Sequence, residues 1–140
     1  MKKFLLSIAL LLGISASVLA QNSDLQGTWT LKKMKDHTGT ISEVPGIFYK
    51  VYHADGTFSN LSLREGGLKL SHKGIFNLSR ADSKYDETVQ HTDTSQITTE
   101  NTTNNLKISF SEDGKLITLE GVIKLKAGTY NLYEVWSKID

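Results

Sequence analysis

Leu106-Lys107-Ile108-Ser109-Phe110, then Ser111-Glu112-Asp113-Gly114, then Lys115-Leu116-Ile117-Thr118-Leu119-Glu120 is the stretch that decides the fold class. Leu106, Ile108 and Phe110 alternate with Lys107 and Ser109. That period of two residues belongs to a strand with one wet face and not to a helix. Asp113-Gly114 supplies a tight turn, because glycine reaches the positive φ that a two-residue hairpin needs. The stretch therefore predicts an antiparallel hairpin, with Leu106, Ile108 and Phe110 buried together and Lys107 and Ser109 facing solvent.

Working outward, the same grammar repeats. Runs at 27–34, 47–53 and 57–63 are followed by runs at 73–79, 84–92, 115–120, 122–126 and 130–139, all rich in β-branched, aromatic and aliphatic residues. Between them stand Ala54-Asp55-Gly56, Glu65-Gly66-Gly67, Ala81-Asp82-Ser83 and Ala127-Gly128. Residues 35–46, which hold the single proline Pro45, read as a loop. Residues 93–105, rich in Thr and Asn, read as a second loop with room for a short strand. No part of 21–140 sustains a helical period. Roughly eight to nine hairpin-connected strands must close on themselves or split into two sheets to protect their edges. An all-β, antiparallel up-and-down barrel of about eight strands is the economical solution, with a β-sandwich as the rival.

The N-terminus reads differently. Lys2-Lys3, an apolar run at 4–12 and Val18-Leu19-Ala20 have the three-part layout of a cleavable signal peptide over 1–20. Ser7, Gly13, Ser15 and Ser17 interrupt the apolar run, which falls short of the roughly 20 apolar residues of a membrane span. The expectation is one mature domain over 21–140. With Lys2 and Lys3 gone, 14 of the 16 basic residues remain against 15 acidic ones, a net charge of −1. No basic patch points to nucleic acid. The chain has no cysteine, so it forms no disulfide framework and carries no lipidated cysteine. The expected location is a bacterial periplasm or the exterior, as a protein that is not a lipoprotein and has no membrane anchor after cleavage. N-terminal sequencing of the exported protein should find Gln21 first; Met1 retained in a membrane fraction would reverse the export argument.

Several segments together resemble a known group. Leu25-Gln26-Gly27-Thr28-Trp29 opens the series; Tyr49-Lys50-Val51, Ala54-Asp55-Gly56, Lys73-Gly74-Ile75-Phe76 and Tyr85-Asp86-Glu87 follow; Glu134-Val135-Trp136-Ser137-Lys138 closes it. In this order they are similar to the small exported lipocalin-like (calycin-type) bacterial domains of unknown function, over essentially the whole of 21–140. The resemblance implies an eight-stranded barrel whose interior can hold a small molecule, and it implies no catalytic residue. It also implies that Lys138 lies over Trp29 as the closing cation, against the plainer reading that Trp29 plugs the barrel base.

Chemistry-bearing patterns are sparse. His37, His53, His72 and His91 sit on separate segments without ligand spacing, so no metal is expected. No nucleophile elbow or phosphate loop occurs, and no cofactor is expected. On 84–92, alternation puts Tyr85, Glu87, Val89 and His91 on one face. If Tyr85 and Val89 point inward, Glu87 and His91 go with them as an interior polar site; if the strand twists at a rim, both reach water. The eleven aromatic residues of 21–140 either line a cavity or fill it. The candidate ligand contacts are Tyr49, Phe76, Tyr85, Glu87, His91, Phe110, Tyr133 and Trp136. Three functions follow: a non-enzymatic barrel binding a small, partly apolar molecule; an interaction or inhibitor module with a filled barrel and contacts from loops 35–46 and 93–105; and an enzyme using Glu87 and His91 as acid and base. The first is the expected one.

Overall fold

A computed structural model of the protein describes residues 22–93 and 100–139. Residues 1–20, which carry the leader expectation, and Gln21, its expected cleavage product, lie outside the described residues. Among the described residues there are nine antiparallel strands: β1 (Gly27–Lys35), β2 (Ile41–Glu43), β3 (Phe48–Tyr52), β4 (Thr57–Arg64), β5 (Gly67–Ser79), β6 (Lys84–Thr92), β7 (Thr103–Phe110), β8 (Leu116–Leu125) and β9 (Gly128–Lys138). Strand β1 pairs with β3, each strand from β3 to β8 pairs with the next, and β9 pairs back with β1, so eight strands close into a barrel with β2 added beside β1. The barrel reading holds. Closure leaves no long unpaired edge.

The hairpin at 106–120 forms as read, with Lys107 opposite Glu120 and Phe110 opposite Ile117. Leu106 and Ile108 are buried, while Lys107 and Ser109 are exposed. Phe110 is half-buried, because the Arg80 guanidinium covers its ring at 4.4 Å.

Boundaries differ where pairing overrides local composition. Strand β5 starts at Gly67, not 73, because residues 67–72 extend the ladder with β4 out to Arg64 opposite Gly67. The runs 115–120 and 122–126 are one strand, β8, passing through Gly121 opposite Leu132. A side chain at Gly121 would meet Leu106 and the Asn105 carbonyl, and its φ of +154° suits glycine. Past Glu120, β8 parts from β7 and continues with β9. Loop 35–46 contains β2, whose Ile41, Ser42 and Glu43 pair with Lys35, Met34 and Lys33. All three residues of β2 are exposed, so no alternation marked them. The turn before β2 is held by the Asp36 carboxylate, which accepts hydrogen bonds from the Thr38 and Thr40 amides at 2.8 and 3.0 Å.

One end of the barrel is sealed. Leu25 and Trp29 are fully buried, and the Trp29 indole N–H donates to the Leu25 carbonyl at 2.7 Å. Lys138 Nζ stands 5.6 Å from the centre of the Trp29 ring, a contact worth about 0.5–1 kcal/mol at a partly exposed site. The two readings of Trp29 are therefore compatible: it plugs the base and carries the closing cation.

A bulge decides the face of β6. His91 pairs with Lys73 and Val89 with Gly74, leaving Gln90 as an extra residue. Up to Val89 the inner face is Tyr85, Glu87 and Val89; after the bulge, Thr92 is buried and His91 is exposed, bonded to Asp93 at 3.0 Å. The placement of His91 inside is thereby corrected, because one extra residue in a strand exchanges its two faces.

Candidate ligand-binding site

The barrel interior holds charge. On β3, Phe48, Lys50 and Tyr52 share the inward face, and Lys50 is 3 % exposed. Its ammonium donates to Glu87 Oε2 at 2.6 Å, and the Tyr85 hydroxyl donates to the same oxygen at 2.6 Å. The Tyr52 hydroxyl in turn donates to that of Tyr85 at 3.1 Å. Four rings box the ammonium, with centres 5.2 to 5.8 Å away: Phe58, Trp136, Tyr52 and Tyr85. Burial acts to strip the lysine of its charge, but Glu87, with Tyr52 and Glu134, outweighs it and holds the Lys50 pKa above the usual value. Burial likewise acts to protonate Glu87, yet Lys50 and His72 together with the two hydrogen bonds bring its pKa below the usual carboxylate value. Burial raises the Tyr52 pKa to about 12. The pair is thus ionised and internally neutral.

Beside it lies a second polar group. The Ser71 hydroxyl gives its one proton to the Asn60 carbonyl at 3.1 Å. Its oxygen can then only accept from His72 Nδ1, 3.3 Å away, so that nitrogen carries the imidazole proton. His72 Nε2 is left as an acceptor and takes the Asn60 Nδ2–H at 2.6 Å. Asn60 Oδ1 is buried without a partner among the described residues, an omission that costs about 1–3 kcal/mol if nothing fills it. Burial holds the His72 pKa down to about 4, with Glu87 opposing and Lys50 assisting. A depressed histidine contributes stability that is complete above its unfolded value of about 6.5 and is lost as pH falls toward the folded value. NMR titration of the His72 ring protons should show a midpoint near 4; a curve centred near 6.5 would mean the ring reaches water.

Glu134 is the third element. It shares the inward face of β9 with Trp136, whose indole N–H donates to Glu134 Oε2 at 2.8 Å. Burial raises its pKa, opposed by Lys50 and by the Trp136 hydrogen bond and reinforced by Glu87. No ion pair engages Glu134 among the described residues.

Two hollows meet at these groups. An inner one of about 100 Å³ is lined by Lys50, Glu87, Val89, Asn104, Leu106, Leu119 and Ile123, among others. An outer one of about 280 Å³ is lined by Leu31, Met34, Phe48, Tyr49, Leu61, Ser62, Arg64, Ser71 and Trp136. Asn60, His72 and Glu134 line both and form the boundary between them.

The sequence candidates separate accordingly. Glu87, Tyr49 and Trp136 line a hollow. Phe76 and Tyr85 lie in the aromatic core, stacked at 6.1 Å, and touch neither hollow. Phe110 is under Arg80, and Tyr133 faces outward with Lys35 Nζ 5.6 Å from its ring. His91 is outside, so Glu87 and His91 form no acid–base pair. Sequence reasoning missed Lys50, Asn60, His72 and Glu134 as site residues. Three of them carried a signal: Phe48-x-Lys50-x-Tyr52, Phe58-x-Asn60-x-Ser62 and Glu134-x-Trp136 put polar groups in step with apolar inward ones. Among the described residues no cluster of His, Asp and Glu suits a metal ion.

The profile of a family described as domain of unknown function (DUF4488) matches residues 24–140. The chain belongs to this family. Its fold is that of a solved relative, a lipocalin-like protein from Bacteroides uniformis, at 19 % identity and a TM-score of 0.58, covering 83 % of this chain and 99 % of that one. At that identity the likeness concerns the fold: a DUF4488 domain here takes a lipocalin-like barrel. No curated protein matches the chain.

Proposed function

We propose that this DUF4488 domain is an exported, non-enzymatic binding protein that takes a small, partly apolar molecule into its barrel, with Gln21 at the mature N-terminus. The observation that carries the reading is Asn60 Oδ1, a buried acceptor without a partner among the described residues, at the boundary of both hollows. Buried polar atoms in folded proteins are nearly all satisfied, and a ligand donor would complete this one. Leu31, Met34, Phe48 and Trp136 supply the apolar wall of the outer hollow, in keeping with sites that are mostly apolar with a few oriented polar groups.

Native mass spectrometry of the protein purified from its own host tests this. A small-molecule mass excess that organic solvent releases is the expected result. A bare chain mass, together with no change in Trp136 fluorescence on adding apolar probes, would sink the reading. The rival, an interaction module with a filled barrel, draws support from one place: exposed Leu63 and Leu68 face each other across the β4–β5 ladder at 47 % and 54 % exposure. That bare mass result would favour it.

A further inference from the structure

One carboxylate lining the two hollows has no ion-pair partner among the described residues. Lys50 is matched by Glu87 at 2.6 Å, and burial keeps His72 uncharged at neutral pH. Glu134 is left over, and with it the acceptor Asn60 Oδ1. Both line the outer hollow, which Lys50 does not. The one cation of that wall is Arg64, on the exposed rim, where Nε donates to Ser62 Oγ at 3.0 Å. An exposed rim charge is screened more strongly than the half-buried carboxylate of Glu134. Lys124 lines the inner hollow from an exposed position and is screened in the same way.

We infer that the occupant of the outer hollow is an amphipathic amine, its ammonium group donating to Glu134 and Asn60 Oδ1 and its apolar tail lying against Leu31, Met34 and Phe48. This rests on the small-molecule reading and names the headgroup. An ammonium supplies what the wall lacks: a positive charge and several donors, with no acceptor of its own. A carboxylate of equal length would meet Glu134 as a like charge and leave Asn60 Oδ1 unsatisfied. The raised pKa of Glu134 agrees, because an ionised carboxylate without a cation is poorly placed there and a bound ammonium would restore its charge.

The test uses three probes with one tail: n-hexylammonium, 1-hexanol and hexanoate, titrated into the mature protein by calorimetry and by Trp136 fluorescence. The expected order is hexylammonium tightest, at least tenfold over hexanol, with hexanoate weakest. In Glu134→Gln, which keeps an acceptor for the Trp136 indole, the amine should fall to the level of hexanol while hexanol binds as before. Hexanoate or hexanol binding as tightly as the amine overturns the headgroup assignment and leaves the binding reading standing. An amine preference that survives Glu134→Gln overturns it too. If none of the three binds, and dodecyl analogues also fail, both readings fall. A circular dichroism melt of Glu134→Gln no lower than wild type is expected, and a collapsed melt would count against Glu134 as a ligand group by making it structural.

Discussion

Lys50→Met is expected to destabilise the barrel by about 3–5 kcal/mol, because removing one partner of a buried pair leaves the other charge uncompensated. Glu87 would keep only the Tyr85 hydroxyl in a cage of aromatic rings, and its pKa would rise as burial is no longer opposed by the ammonium. Lys50→Met combined with Glu87→Gln should recover at least half of the loss. The amide oxygen still accepts from Tyr85, and no buried charge remains. Urea denaturation at neutral pH measures both; a single variant within about 1 kcal/mol of wild type would show that the ammonium is solvated.

The pH signs follow from the same pair. Glu87, with a lowered folded pKa, contributes stability that is complete above the unfolded value of about 4.3 and is lost as pH falls through the folded one. Lys50, with a raised folded pKa, contributes stability that is complete below about 10.4 and is lost as pH rises through the folded one. Tyr52, pushed up to about 12, and Tyr85, also raised, act in the same alkaline direction from about 10 upward. The wild type should therefore weaken on both flanks, and the double variant should lose the acid contribution of Glu87.

Gly74→Ala is expected to cost about 3 kcal/mol or to prevent folding. An added Cβ would lie 1.9 Å from the Thr88 carbonyl oxygen and 2.9 Å from its carbon. Both are backbone atoms, so no side chain can swing away. The closeness comes from the bulge at Gln90, which presses β6 onto β5 where Val89 faces Gly74. Deleting Gln90 in the Gly74→Ala background removes the extra residue and should restore part of the stability. A Gly74→Ala protein with an unchanged urea midpoint would mean that the bulge lies elsewhere.

These two sites mark where local reading stopped. The alternation of Leu106, Ile108 and Phe110, the Asp-Gly turns and the absence of a helical period determined a set of antiparallel, hairpin-connected strands, with closure into a barrel the economical expectation beside a sandwich. Side-chain direction in a strand depends on neighbours two residues apart, and turn conformation on one glycine, so a window of ten residues contains the cause. The turn at Ala81-Asp82-Ser83 was legible for the same reason.

The bulge at Gln90 was not legible, because it is a relation between β5 and β6 and leaves the composition of neither strand changed. It alone put His91 outside. The exposed three-residue strand β2 had no alternation to read. The interior charge was decided furthest from local sequence. Lys50 and Glu87 stand 37 residues apart, and a lysine in step with Phe48 and Tyr52 is tolerable inside only once barrel closure brings a carboxylate to it. Sequence alone determined that the chain is a series of antiparallel strands joined by tight turns. Tertiary structure decided which polar groups share the interior and which of them remain unmatched, because desolvation and pairing are properties of the closed barrel and not of any one strand.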